Sequence, residues 1–267
     1  MIDFGVLGTP FATPLADFIG PSRRREWLIL SALLVRPNRE ISTHSLVDVL
    51  WDAEPPSTAR QQVQNCIGFI RRAIEHAGSS GVRIDRVGDR HTLVLDADRV
   101  DHVAFDRLSV AADAAVRIGQ IDHGISLYHA ALDLWRGRAL EGFVAPALAP
   151  YAARLEEMRA MTAESYFEFC LAAGRHALVL PELIQYAGDN PLRERAVNHL
   201  MIALSRNGQQ HEAYAAYQRL ALRLDTDLGI QPGLEIRRTL YDILDGLKTT
   251  KRPQISPDSS ITIGATA

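Results

Sequence analysis

Residues 57–76 read STARQQVQNCIGFIRRAIEH, a stretch with two opposed helical faces. Val63, Ile67, Ile70 and Ile74 follow at steps of four, three and four, the spacing of one apolar stripe on an α-helix. Gln61, Asn65, Gly68 and Arg72 repeat those steps on the other side, flanked by Arg60, Gln64 and Arg71, and no acidic residue appears before Glu75. Amides pair in bidentate fashion with adenine, and guanidinium groups with guanine or phosphate. Gly68 lets a helix approach a groove closely, at about 1 kcal/mol in helix propensity. Composition alone leaves a plainer reading open, because any amphipathic helix has a polar outer face.

The surrounding order favours a DNA reader. Short β-compatible pieces, Phe4–Leu7 and Phe11–Leu15, lie among Gly8, Pro10 and Pro14. Ser22 is a candidate N-cap for a helix that Pro37 stops, and Ser42 caps a second helix carrying Leu46, Val47, Leu50 and Trp51. After the turn at Pro55-Pro56, Ser57 or Thr58 caps the helix at 57–76. A hairpin follows, Val82–Val87 and Thr92–Leu95 around Gly88-Asp89-Arg90. This is the order of a winged helix, with helix three in the major groove and the hairpin reaching phosphate or minor groove. Arg86 and Arg90 then sit on the wing, although Asp85 and Asp89 beside them also suit a merely solvated hairpin.

From Asp101 the pattern is almost entirely helical, with expected helices at 101–118, 121–134, 149–173, 176–188, 192–206, 209–224 and 232–247. Their lengths and short connections fit tetratricopeptide-like repeats. The expected fold is therefore mainly α with a small β component. Its domains are a winged helix-turn-helix at 1–97, a tetratricopeptide-like helical domain at 101–247 and a disordered tail at 248–267.

Charge neither announces nor forbids a nucleic-acid partner. The net charge is −3, and residues 1–100 carry 12 basic and 12 acidic side chains, so placement matters more than the total. Two isolated cysteines, Cys66 and Cys170, fit a reducing compartment, and neither a signal peptide nor a span of roughly 20 apolar residues is present. The expectation is a cytoplasmic protein with no membrane partner. No phosphate-binding Gly-x-x-x-x-Gly-Lys loop, Gly-x-Ser-x-Gly elbow or histidine pair at ligand spacing occurs. No enzyme activity, cofactor or metal is expected. Cys66 suits a small buried position, Trp135 a packing anchor, and Glu156-Glu157 a solvated helix face.

Several segments together resemble the SARP family (Streptomyces antibiotic regulatory proteins), over roughly residues 2–247. Leu50-Trp51, Pro55-Pro56 and Ala59 are similar to the family's "LW-x-x-x-PP-x-x-A" turn. Leu132–Leu140 (LDLWRGRAL), Pro191–Arg195 (PLRER) and Leu228–Gly233 (LGIQPG) resemble hallmarks of its helical half. The chain departs from the usual pattern at Trp27, at Gly68-Phe69, and at the wing, where Gly88-Asp89-Arg90-His91 replaces a Gly-Gly-Tyr. The resemblance implies an OmpR-like winged helix joined to a bacterial transcriptional activation domain. It also implies double-stranded promoter DNA with direct repeats, RNA polymerase holoenzyme met through its sigma factor, control of antibiotic gene clusters, and it allows a homodimer. The competing expectation is a repeat-scaffold adaptor that binds a protein or peptide without reading DNA.

Overall fold

The computed structural model describes residues 3–52, 54–143 and 145–250. The tail expected at 248–267 lies outside them except at 248–250, where backbone continues the last helix. The chain packs as two compact units, Met1–Phe169 and Cys170–Ala267, whereas the sequence pattern changes near residue 100.

In the first unit, β1 (Phe4–Gly5) and β2 (Phe11–Ala12) form an antiparallel pair. Then come α1 (Arg24–Leu34), β3 (Ile41–Ser42), α2 (Thr43–Leu50), α3 (Ala59–His76), β4 (Arg83–Val87) and β5 (Arg90–Val94). The three later strands make one antiparallel sheet in the order β3-β5-β4. This is the winged helix. Trp27 to Leu34 are all buried, as befits a helix covered on every side. Ser42 caps α2 as expected, its Oγ accepting from Ser45 N at 3.0 Å. The other two caps differ. Arg23, not Ser22, precedes α1 without a side-chain bond, and the Thr58 hydroxyl accepts from Gln62 Nε2 rather than from a helix amide.

The first strand stops two residues short of the expected Phe4–Leu7 for a specific reason. The amides of Val6 and Leu7 donate to the carboxylate of Asp101 at 2.9–3.0 Å instead of to a neighbouring strand. Asp101 opens α4 (Asp101–Arg117), is 2% exposed, and also accepts from His102 N at 2.7 Å and Arg136 Nη2 at 2.9 Å. The LDLWRGRAL segment, just after α5 (Ile121–Leu132), lies against the same edge: Arg136 N donates to Leu7 O, Leu140 N to Val6 O and Glu141 N to Gly8 O. Gly8 has φ +137°, and a Cβ there would meet Arg136 Cβ at 3.1 Å and Gly137 N at 3.2 Å, so the close approach needs glycine. Trp135 is buried as expected, with Phe105 edge-on at 5.6 Å and the Arg159 guanidinium over its ring. One apolar cluster runs from Phe4 to Leu155. Glu156, which opens no further onto solvent than half-buried, departs from the expected solvated face because its carboxylate accepts from Ala139 N at 2.6 Å.

Ala149–Ala172 forms α6. The second unit continues with α7 (His176–Asp189), α8 (Glu194–Arg206), α9 (Gln210–Arg223) and α10 (Leu234–Thr250). Consecutive helices pack pairwise, and buried Ala203, Ala213 and Ala216 let α8 and α9 come close. α8 and α10 start two residues later than the pattern suggests, after Pro191-Leu192 and Pro232-Gly233. Those two turns are linked, since Glu194 Oε2 accepts from Gly233 N at 2.7 Å, and a Cβ on Gly233 would stand 2.9 Å from that oxygen. The PLRER and LGIQPG segments are thus two halves of one contact.

Candidate nucleic-acid interface

The site is built on α3. Val63, Ile67, Ile70 and Ile74 are buried together with Ala59, Cys66 and Ala73, which fixes the rotation of the helix. Arg60, Gln61, Asn65 and Arg72 consequently face solvent, while Gln64 and Gly68 are half-buried at the edge of that face. The guanidinium groups of Arg60 and Arg72 have no hydrogen-bond or ion-pair partner among the described residues, although the Arg72 carbonyl lies 2.7 Å from His76 Nδ1, and Gln61 Nε2 donates to Asn65 Oδ1 at 3.1 Å. A Cβ on Gly68 would meet nothing within 4 Å, so the glycine is not required by packing inside the protein.

The other expected residues are engaged. Arg71 is half-buried and its Nε donates to Ile84 O at 3.0 Å, tying α3 to β4 rather than joining the open face. Arg86 donates from Nε to Gly88 O at 2.8 Å and from Nη1 to Gln64 Oε1 at 3.0 Å. It therefore bridges the wing and the helix. Arg90 pairs with Glu40 at 3.3 Å, and Asp85, a carboxylate that clouded the wing in the sequence, pairs with Arg83 at 3.0 Å. Arg60, Gln61, Gln64, Asn65, Gly68 and Arg72 are brought to one side, with Arg86 at its border.

Residues 100–244 match the family described as BTAD, Bacterial transcriptional activator domain. The chain is 30% identical over 250 residues to Regulatory protein DnrI of Streptomyces peucetius, covering 91% of this chain and 92% of DnrI. It belongs to the SARP family. It is also 33% identical over 229 residues to Regulatory protein AfsR of Streptomyces coelicolor, covering 86% of this chain but 23% of AfsR, so it spans about a quarter of that relative. A solved structure, Mycobacterium tuberculosis EmbR in complex with low affinity phosphopeptide, superposes with TM-score 0.82 at 26% identity, over 92% of this chain and 65% of EmbR. Like these relatives, the SARP chain is a transcriptional regulator.

Two features of this SARP chain escape a reading by periodicity. Val87, next to the tip of the hairpin, is 70% exposed; an apolar side chain at the wing was visible in the sequence but alternation gave no reason to single it out. Two arginines of the run Arg23-Arg24-Arg25 reach the flank of α3, whereas Arg24 donates to Gly142 O at 2.6 Å. Arg23 lies 3.9 Å over the ring of Phe69, and Arg25 donates to Gln62 Oε1 at 2.6 Å. The departure at Gly68-Phe69 thus supplies a platform for the arginine that precedes α1. Cys66 is buried, and burial first, then the Glu26 carboxylate, push its thiol up to about 11, which keeps it protonated at neutral pH. No group of His, Cys, Asp and Glu that could hold a metal ion occurs among the described residues, and no helix among them is long and apolar enough to cross a membrane.

The wing also carries a buried titratable group. His91 on β5 is fully buried beneath it, with Nε2 at 3.2 Å from Thr43 Oγ1 and no partner on Nδ1. Thr43 Oγ1 donates to Asp89 O at 2.7 Å, so the ring supplies its proton at Nε2 and Nδ1 is bare. Burial first, then Arg71 and Arg86, hold the His91 pKa below its ordinary value, with Asp89 opposing. A depressed histidine favours the folded state above its unfolded pKa of about 6.5, and that contribution is lost as pH falls below it. His102 is shifted in the same direction, chiefly by burial. Thermal stability is expected to fall between pH 7.5 and 5. The difference between the parent and His91→Gln, measured across that range, isolates the part owed to His91, and a pH-independent difference would contradict it.

Proposed function

We propose that the chain is a sequence-specific DNA-binding activator that works by binding rather than catalysis, in the cytoplasm where its DNA lies. On this reading residues 1–97 place α3 in the major groove. Residues 101–247 act as the activation domain, meeting RNA polymerase holoenzyme through its sigma factor. The target is promoter DNA bearing direct repeats, occupied by one or two copies, in an antibiotic gene cluster. The observation that carries the reading is the solvent face of α3. Unpaired Arg60 and Arg72 stand beside Gln61 and Asn65, and no acidic side chain lies among them. A face serving solubility alone would intersperse both signs. The α3 N-terminus adds a favourable end for phosphate, since its first turn holds no acidic residue and no side-chain cap.

Gel-shift titration with the duplex flanking the gene itself tests this. Arg72→Ala is expected to weaken binding and to reduce the slope of log K against log salt by about one unit if it meets phosphate. Gln64→Ala and Asn65→Ala are expected to relax site preference by roughly 1–3 kcal/mol per bidentate contact. Unchanged affinity and preference in all three variants would refute the assignment. Gly68→Ala separates folding from function. With open space around it, the added methyl should stabilise the helix by about 0.5–1 kcal/mol, while a closely docked helix loses DNA affinity. Equal affinity would remove the close approach. The adaptor reading instead expects neither retention on heparin nor salt dependence.

A further inference from the structure

The second unit has an open apolar groove of about 580 Å³ that DNA reading does not use. Its walls are α7 and α9 and its floor is α8. Leu180, Ile184 and Ala187 recur along α7 at helical steps, and Ala216 and Leu220 face them from α9 over Leu200. Ile184 is 53% exposed, so this apolar strip meets water in the isolated chain. A typical single surface isoleucine needs no explanation, but one set in a continuous trough does. Both walls also carry small residues, Ala187-Gly188 on one and Ala215-Ala216 on the other. Small residues on both walls admit backbone, not merely one side chain, because packed helices come within 8–10 Å of each other.

Charge selects the occupant. Arg219 and Arg223 stand one turn apart on the α9 rim; both are exposed, and neither has a hydrogen-bond or ion-pair partner among the described residues. The α7 residues lining the opposite rim are uncharged, and Glu212 is the acidic residue of the lining, about two turns from Arg219 toward the start of α9. α9 is 14 residues long, about 21 Å at 1.5 Å per residue, which sets the length of a matching helix. We propose that this groove receives an amphipathic helix of another protein, about four turns long, whose apolar stripe is flanked by two acidic side chains one turn apart. The apolar stripe fills the trough, and the acidic pair meets Arg219 and Arg223. This is helix-in-groove recognition, with apolar anchors at i, i+4 and i+7 and charge fixing the orientation.

Fluorescence anisotropy of the full chain tests it with two synthetic 15-residue helical peptides that share a leucine stripe. One carries two glutamates one turn apart beside the stripe; the other carries lysines there. The glutamate peptide is expected to bind at least tenfold more tightly at low salt, and 0.5 M salt should narrow the gap. Arg219→Glu with Arg223→Glu is expected to invert the preference. Ile184→Asp, at an exposed position where folding should survive, is expected to weaken both peptides at least tenfold with unchanged circular dichroism. Equal binding, no binding, or a preference that survives the double charge reversal would overturn the proposal. Two other results also overturn it. One is glutamate-peptide binding that appears only once residues 251–267 are removed, which gives the groove to the chain's own end. The other is self-association abolished by Ile184→Asp, which gives it to a second copy. None of these variants touches α3, so loss of DNA binding fails or stands separately.

Discussion

Asp101→Ala is expected to lower the stability of the first unit by roughly 3–5 kcal/mol, the usual cost of breaking a buried charged contact. The carboxylate is 2% exposed and accepts from three backbone amides and the Arg136 guanidinium. Alanine leaves the Val6 and Leu7 amides buried without an acceptor, and each such group costs about 1–3 kcal/mol. Arg136 itself is partly exposed, so water offsets its share and the amides dominate. For a unit of this size the loss corresponds to a fall of about 10 °C in Tm. Asp101→Asn keeps an acceptor oxygen and should lose less. Calorimetry on the full chain reads both, with the transition of each unit followed separately because two units need not unfold together. A loss below about 1 kcal/mol for Asp101→Ala would show that the amides find other partners.

The second large effect concerns binding. A variant combining Gln61→Ala, Asn65→Ala and Arg72→Ala is expected to lose roughly 3–6 kcal/mol of specific DNA affinity, more than a hundredfold in Kd. The estimate sits below three full bidentate contacts because Gln61 and Asn65 share a hydrogen bond, so their losses do not add independently. All three side chains are exposed, and the fold should hold. Affinity for unrelated duplex should fall less, mainly through Arg72. A uniform loss across specific and unrelated duplexes would mean that these groups hold phosphate and do not read bases. An intact affinity would take α3 out of the interface.

Much of this was legible from local pattern. The apolar stripe of α3 determines which residues face out, and the structure places Gln61, Asn65 and Arg72 accordingly. Periodicity works there because a helix repeats its environment every three or four residues. It works less well for a side chain that leaves its own element. Arg71 lies beside the open face by spacing, yet its length lets it reach Ile84 O on β4. Glu156 reads as solvated, yet it serves the Ala139 amide. Ser22 has the chemistry of a cap, but the helix begins two residues later.

From its sequence alone the chain determined its helices, the wing hairpin, the two faces of α3 and, through linked short motifs, its kinship. Each depends on neighbours within about one or two turns or on residue identities in a row. Tertiary structure alone decided that one apolar cluster crosses residue 100, that Asp101 holds the Val6-Leu7 edge, that Glu194 meets Gly233, and that α7 and α9 leave a trough between them. The physical reason is that each joins groups roughly 30 to 95 positions apart, where burial removes water and obliges polar groups to find whichever partner the fold brings near.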